Sequence, residues 1–338
     1  MGERKKSRFV KWIASGKVNK RLCIFTFMLI PVALLIVFTF IPFVNMVGFS
    51  FYDMKYLGDR EFVGLKNYAD VFSREDCFQA LKLSLYYIAA SFIQLGLALY
   101  FASVLSFKTK GGGVFKGLMF FPYLVCGIAV GFIFKFFYTR GFVLDTVLQW
   151  CGFDLENLPY WLKDTSINNI SVAATYVWRY MGQNMVLFIG AIMSVDASLY
   201  EAADIDGASG WHKFWYIIFP SIKTIIVLNL ILAITGSLSV FEPPYVITNG
   251  EFGTGTYFVI MDRLAHASQK VGLASAMAIV LLVIILVATV IQKVAFKYFF
   301  GDGDEEAIRT MRKRKKLERQ KALAQAVQSD TAKGGAGV

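Results

Sequence analysis

The sequence has few of the residues that carry out catalysis or bind metals. It contains two histidines, His212 and His266, and four cysteines, with no C-x-x-C pair or other metal-binding spacing among them. It lacks both the phosphate-binding motif G-x-x-x-x-G-K-[ST] and the zinc motif H-E-x-x-H, so it cannot hydrolyse ATP alone by the usual route. Glycines 111–113 are not followed by G-K-[ST] and predict a flexible turn. The sequence therefore predicts no catalytic site, no metal site and no cofactor.

Long apolar runs are the dominant feature of the chain. Of its 338 residues, 56% are hydrophobic, and the mean hydropathy is +0.53. Runs of about 20 apolar residues are typical of membrane-spanning helices. The sequence therefore predicts an all-α integral membrane protein with six transmembrane helices, at about residues 22–51, 78–107, 118–138, 168–194, 221–239 and 272–296.

The charged residues between these runs predict the orientation in the membrane. Residues 1–21 and the tail 301–338 are basic, and the loop 108–117 has three lysines and no acid, whereas residues 52–77 are net acidic. Basic residues concentrate on the cytoplasmic side, so both termini are expected there. The tail is expected to be partly disordered. The same bias explains the net charge of +11 without a nucleic-acid partner.

Two pairs of residues predict contacts between elements. Gly127 and Gly131 form a G-x-x-x-G pattern, which favours close packing of another helix. Cys77 and Cys151 both fall on the predicted outer side, where the sequence is compatible with a disulfide and with two free thiols.

The most informative stretch is EAADIDGASGWHKFWYIIFP, residues 201–220, between two apolar runs. Ala202 and Ala203 favour a helix, and Gly207 suits the left-handed conformation that ends one. Pro220 has no N–H to donate and suits the start of the next helix. Physical chemistry alone supports equally a helix lying on the bilayer surface and a helix docking onto another protein.

This stretch resembles the EAA loop of ABC-importer permeases, and most of all the carbohydrate-uptake branch. The sequence motif LYEAADIDGA begins at Leu199, and Trp211 and Phe214 follow at the positions expected for this branch. Asp196 departs from the pattern, since relatives often have proline before the motif. The resemblance implies a MetI-like permease core over about residues 22–300, with residues 199–220 as the coupling loop. The coupling residues that it implies are Glu201, Ala202, Ala203, Asp206, Gly207 and Pro220.

The resemblance also implies the partners and the mechanism. ATP would be hydrolysed by a dimer of ABC ATPase subunits, and a second similar permease and an extracellular or periplasmic solute-binding protein would complete the importer in a bacterial inner membrane, among its lipids. The helix at residues 201–207 would lie in a groove on the ATPase and move when the ATPases close around ATP. Glu201 would pair with a basic groove residue, and Ala203 and Gly207 would permit close contact.

Polar residues deep within the predicted spans indicate a cargo path, because polar groups there are costly and usually functional. Arg179 lies roughly 16 Å into the fourth span, and Gln183 shares its helical face. Arg179 is compatible with an anionic cargo, such as a sugar acid or sugar phosphate, and with pairing to a neighbouring subunit. Hydrogen bonding between helices is the alternative role for the others. The predicted path residues are Tyr176, Arg179, Tyr180, Gln183, Asn184, Asn229 and Ser239.

Carbohydrate is the expected cargo, and three alternatives remain. The same architecture could carry a different cargo, such as phosphate, a polyamine or an amino-acid-like solute. A secondary transporter would need coupling acids within its spans, whereas the predicted spans contain none and Glu242 lies at the outer edge. A membrane enzyme would need a cluster of acidic, histidine or serine residues that the sequence does not show.

Overall fold

The computed structural model describes the backbone of residues 20–107 and 110–300, which is mainly helical. The predicted tail 301–338 and all but the last two residues of the predicted segment 1–21 lie outside the described residues. The first helices are α1 (Lys20–Leu35), α2 (Ile41–Phe49), α3 (Lys66–Ser73), α4 (Glu75–Leu105), α5 (Gly112–Leu124), α6 (Gly127–Tyr138) and α7 (Val143–Trp150). They are followed by α8 (Asn168–Met193), α9 (Ala197–Ile205), α10 (Gly210–Lys213), α11 (Phe219–Leu238), α12 (Glu242–Thr248), α13 (Tyr257–Asp262) and α14 (Val271–Phe300).

Each predicted transmembrane run has a helical counterpart. Four stretches are long and apolar enough to cross a membrane, and two bent pairs of helices would each make a further span. The six-span count stays a prediction, because length and composition alone do not decide whether a bent pair crosses the membrane. The four stretches are Ile24–Phe49, Glu75–Leu105, Gly210–Thr248 and Val271–Tyr298, and the pairs are α5 with α6, bent by 99°, and α8 with α9, bent by 76°.

The prediction of one continuous helix over residues 118–138 is wrong. Helix α5 ends at Leu124, and α6 begins at Gly127 after two residues with extended backbone, Val125 and Cys126. Pro122 weakens the last turn of α5, since it cannot donate the hydrogen bond that would reach the carbonyl of residue 118. The chain therefore turns sharply between the two helices.

The described residues form two compact units, one from the residues up to Glu75 with Met261–Leu282, the other from Asp76–Ile260 with the residues from Val283 onward. The first unit contains a hairpin of β1 (Tyr52–Met54) and β2 (Arg60–Phe62), in which Tyr52 lies opposite Phe62. The side-chain amide of Asn67 donates to the carbonyls of Ser50 and Tyr52, at 2.9 Å each, and so fixes the start of β1.

The second unit is built around α4, α8 and α11. Ala98 and Ala102 of α4 are completely buried, and their small side chains let the neighbouring helices approach closely. The larger cluster in this core contains Leu95, Ala98, Ala102, Leu105, Met185, Phe188, Ile189, Ile192, Ile218, Ile222 and Ala233. A second cluster contains Tyr87, Ala90, Val172, Ala173, Tyr176, Val240 and Ile247.

The two residue pairs singled out in the sequence have different outcomes. The close packing predicted for Gly127 and Gly131 is confirmed, because a Cβ atom on Gly131 would lie 2.6 Å from the Cβ of Val246 on α12. Cys77 and Cys151 are not joined by a disulfide, so the two-thiol alternative describes this structure.

Candidate functional site

The predicted coupling helix is α9, and Asp196 fixes where it begins. The carboxylate of Asp196 accepts a hydrogen bond from the backbone N–H of Ser198 at 3.0 Å, in the manner of a helix N-cap. This hydrogen bond holds the pKa of Asp196 below its usual range. The residue that departs from the family pattern thus supplies a cap that proline could not.

Gly207 ends the coupling helix, as predicted. Its φ of +71° lies in the left-handed region, where a side chain would be strained. The N–H of Ala208 donates to the carbonyl of Ala203 at 2.9 Å, and the N–H of Gly207 donates to that of Asp204 at 3.2 Å. These two bonds form a Schellman motif, which satisfies the last carbonyls of the helix.

The coupling helix buries one predicted residue and exposes one that was not predicted. Ala203 is only 8% exposed and packs inside this chain, and its close contact with a partner stays a prediction. Glu201 and Ala202 are exposed, and Ile205 lies four residues after Glu201 on the same face. Ile205 is 87% exposed, and the sequence analysis missed it, although an isoleucine between two aspartates was the available signal. Asp206 and Gly207 are exposed at the end of the helix.

Pro220 lies within a longer helical stretch than predicted. Helical backbone begins ten residues earlier, at Gly210, and passes through a π-type turn at Phe214–Ile218 before α11. Because Pro220 cannot donate to the residue four positions earlier, a wider turn in front of it is expected. Pro220 itself is exposed in the first turn of α11.

Contacts within the second unit hold the coupling helix on the core. Lys213 of α10 forms an ion pair with Asp204 of α9. The ring of Tyr200 meets that of Phe107 edge-on, with 5.3 Å between centroids, and Tyr200 packs against the larger core cluster. A displacement of α9 therefore acts directly on the core that α4, α8 and α11 share.

A cavity of about 440 Å³ lies among α4, α8, α11 and the start of α12, within the size range of small-molecule sites. All seven residues predicted for the cargo path line it. Two polar side chains of the lining were not predicted as path residues, namely those of Gln94 on α4 and Glu242 on α12. The full polar or aromatic lining is Gln94, Tyr176, Arg179, Tyr180, Gln183, Asn184, Asn229, Ser239, Phe241 and Glu242.

Arg179 forms an ion pair with Glu242 of its own chain. The side chain of Arg179 is 12% exposed and that of Glu242 is 45% exposed, so the guanidinium is the more deeply buried partner. The guanidinium also lies 5.2 Å from the centre of the Tyr180 ring. Neither an anionic cargo nor a neighbouring subunit is required to explain this arginine. A Cβ atom on Gly127 would collide with both members of the pair, so glycine allows α6 to pack against them.

Several side chains that line the cavity donate hydrogen bonds within their own helices, and the amide oxygens among them are not used by these bonds. Asn184 donates to the carbonyl of Tyr180 at 3.3 Å, and Asn229 donates to that of Ile225 at 2.8 Å. Ser239 donates to its own helix in the same way. The side-chain oxygen of Gln94 is buried and has no partner among the described residues. The cavity can therefore accept hydrogen bonds from a bound molecule through several amide oxygens.

Neither histidine lines the cavity. His212 contacts the hydroxyl of Ser209 at 2.7 Å, and His266 lies 3.5 Å from the carboxylate of Asp262. Within the described residues, no group of three or more histidine, cysteine or acidic side chains is placed to hold a metal ion.

Known proteins resemble this chain over most of its length. The probable ABC transporter permease protein YurN of Bacillus subtilis is 30% identical over 296 residues, which are 86% of this chain and 100% of that protein. The arabinooligosaccharides transport system permease protein AraP of the same organism is 31% identical, over 73% of this chain and 80% of that protein. The multiple sugar-binding transport system permease protein MsmF of Streptococcus mutans is 27% identical, over 82% of this chain and 96% of that protein.

A solved structure agrees on the fold. One chain of a bacterial alginate ABC transporter, in complex with an alginate pentasaccharide-bound periplasmic protein, matches with a TM-score of 0.72 at 19% identity. The match covers 85% of this chain and 98% of that chain, and it confirms the predicted permease fold. The pattern of the family described as "Binding-protein-dependent transport system inner membrane component" matches residues 15–297. The chain therefore belongs to this family, as a multi-pass membrane permease subunit of an ABC transporter and not an enzyme.

Proposed function

We propose that this chain is a permease subunit of an ATP-driven importer that carries neutral saccharides across a bacterial inner membrane. The observation that supports this cargo most is a polar cavity whose two charged lining residues are paired with each other and whose amide oxygens can accept hydrogen bonds. The names of AraP and MsmF, two of its relatives, include sugars or oligosaccharides. A second permease, a dimer of ATPase subunits and a solute-binding protein complete the importer.

The charge of the cavity favours a neutral cargo over an anionic one. Among the described lining residues, only Arg179 and Glu242 carry a charge, and they are paired with each other. An anion at Arg179 would place a second negative charge beside the Glu242 carboxylate at a partly buried site. A saccharide hydroxyl donates to the amide oxygens and leaves the ion pair intact. The rings of Tyr176 and Tyr180, 4.7 Å apart, offer an apolar surface for the faces of a sugar.

The coupling helix supports docking onto an ATPase. Ile205 presents an almost fully exposed aliphatic side chain beside the carboxylate of Glu201, and such a combination suits a groove with an apolar floor and a basic rim. The core offers a route from this helix to the cavity, because Ala233 belongs to the larger core cluster and also lines the cavity. Motion of α9 can therefore reach the cavity wall through close-packed side chains.

Uptake by purified complexes tests the proposal. The chain is expressed with its chromosomal neighbours, and the complex is reconstituted into liposomes with its binding protein. Uptake of labelled maltotriose, lactose, arabinotriose and digalacturonate is then measured with and without ATP. We expect ATP-dependent uptake of at least one neutral saccharide and none of the uronate. Uptake of the uronate alone would contradict the neutral cargo, and uptake that needs no ATP would contradict the ABC mechanism.

A further inference from the structure

We infer that Gln94 determines cargo specificity, by accepting a hydrogen bond through its side-chain oxygen from a saccharide hydroxyl in the cavity. The inference rests on the proposed function and adds a residue from a helix that the predicted path does not include. Gln94 lies on α4, 19 residues after the start of the helix at Glu75, and so roughly 28 Å along its axis. The residue is 1% exposed and lines the cavity.

Three buried side-chain oxygens of α4 have no hydrogen-bond partner among the described residues, those of Ser84, Tyr87 and Gln94, and of these three residues Gln94 alone lines the cavity. Buried polar atoms almost always have a hydrogen-bond partner, and a buried oxygen without one calls for an explanation. One turn earlier on α4, Ser91 donates to the carbonyl of Tyr87 and contacts the hydroxyl of Ser237 at 2.7 Å. Among the described residues, the oxygen of Gln94 has no such partner. A cargo hydroxyl would supply the missing donor.

A complementary donor lines the same cavity. The Nε–H of Arg179 is buried and has no partner among the described residues, although a terminal nitrogen of the same guanidinium pairs with Glu242. A hydroxyl group both donates and accepts hydrogen bonds, whereas a carboxylate only accepts them. A polyhydroxylated neutral cargo can therefore satisfy Gln94 and Arg179 together, and an anion can satisfy Arg179 alone.

A site of this kind should penalise the loss of one particular hydroxyl. When a buried protein acceptor loses its donor, the analogue is rejected more strongly than by a purely apolar wall. A neutral hydrogen bond of ordinary strength corresponds to a loss of about threefold to tenfold in rate. Replacing Gln94 with a residue that cannot accept a hydrogen bond should remove this slower transport of the analogue, because no protein oxygen is then left without a donor.

The test compares Gln94→Met with Gln292→Met. Gln292 is a matched control, because both of its side-chain polar atoms are buried without a partner in the described chain, yet it does not line the cavity. Both variants and the wild type are reconstituted as complete importers. The parent saccharide is whichever of maltotriose, lactose and arabinotriose the wild type transports. Each importer is supplied with a saturating concentration of binding protein, loaded either with this saccharide or with one of its monodeoxy analogues. The turnover of uptake is measured, so that the affinity of the binding protein does not enter.

In the wild type and in Gln292→Met, we expect one monodeoxy analogue to be transported about threefold to tenfold more slowly than the parent saccharide. In Gln94→Met, we expect the same analogue and the parent saccharide to be transported at equal rates. The same penalty in Gln94→Met as in the wild type would overturn the inference while leaving the proposed function intact. A wild type that transports none of the saccharides would instead overturn the proposed function, and the inference with it. If Gln94→Met does not reach the membrane, Gln94→Glu keeps an acceptor at the same reach. If Gln94→Glu transported the deoxy analogue as fast as the parent saccharide, this result would also overturn the inference.

Discussion

Neutralising Glu242 should destabilise the cavity wall, because it removes the partner of a buried cation. The guanidinium of Arg179 is 12% exposed, and Glu242 is the one side chain that forms an ion pair with it among the described residues. In a Glu242→Gln variant, the positive charge would stay in a poorly solvated place with only a neutral amide beside it. Arg179→Gln should cost less, because the carboxylate that it leaves behind is 45% exposed and can be hydrated.

The exposed fractions of Arg179 and Glu242 limit how much stability the Glu242→Gln variant should lose. Breaking a fully buried pair by removing one partner costs about 3–5 kcal/mol, and an exposed pair contributes about 0–1 kcal/mol. This pair is half open to solvent on the acidic side, so we expect Glu242→Gln to cost about 1–3 kcal/mol. For a chain of 338 residues, that corresponds to a fall of about 1–4 °C in apparent Tm. The double variant should cost less than the sum of the two single variants, by about 1–2 kcal/mol.

Thermal unfolding of the purified subunit, without cargo, measures these differences in the wild type, the two single variants and the double variant. Glu251→Gln is the matched control, since Glu251 is an exposed acid in the same segment of chain and has no ion pair in the described structure. Equal falls in Tm for Glu242→Gln and Glu251→Gln would refute the reasoning. Strict additivity in the double variant would refute it as well.

Three further predictions concern the helices around the site. Gly182→Ala should sharply reduce the amount of folded protein, because its Cβ would collide with a backbone carbonyl of α5, whereas Gly190→Ala on the same helix meets nothing within 4 Å; membrane levels of both variants check this, and equal levels would contradict it. Gly207→Asp strains the backbone at a φ of +71°, but aspartate tolerates this left-handed region better than most residues and its Cβ meets nothing within 4 Å in this chain, so the subunit should still reach the membrane. The variant should uncouple ATP hydrolysis from uptake. Normal transport by Gly207→Asp would contradict the proposed docking. Because folding lowers the pKa of Asp196, the cap stabilises α9 above about pH 4, the usual range of the carboxyl, and is lost as pH falls through the lowered value. Hydrogen exchange of residues 197–205 should lose its protection there in the wild type, and Asp196→Asn should show no such pH dependence.

Local patterns predicted much of the fold and which residues would come together around the cavity. Tyr176, Arg179, Tyr180 and Gln183 recur at helical spacing, so a single helix places them along one side, and the structure brings all of them into one cavity. The preference of glycine for left-handed backbone was sufficient to predict that α9 ends at Gly207. Each of these predictions depends on residues close together in the sequence.

Long-range packing decided what the sequence could not predict. The partner of Arg179 lies 63 residues away, and nothing local to Arg179 or Glu242 indicates the contact. Ala203 is buried because Tyr200 holds α9 against the core. The small residues of the motif do not indicate by themselves which side of the helix packs inward. Gln94 was one of several polar residues scattered along the second span, and only the cavity distinguishes it from the others.

In the proposed function, ATP hydrolysis drives uptake of a neutral saccharide through this subunit by acting on α9. The most direct measurement is the number of saccharide molecules imported per ATP hydrolysed, in the same proteoliposomes, for the wild type and for Ile205→Asp. We expect a fixed ratio and no uptake without ATP in the wild type, and a ratio near zero in Ile205→Asp, because a charge on the exposed face should break the docking. Uptake that continues without ATP under an ion gradient, or an unchanged ratio in Ile205→Asp, would contradict the account.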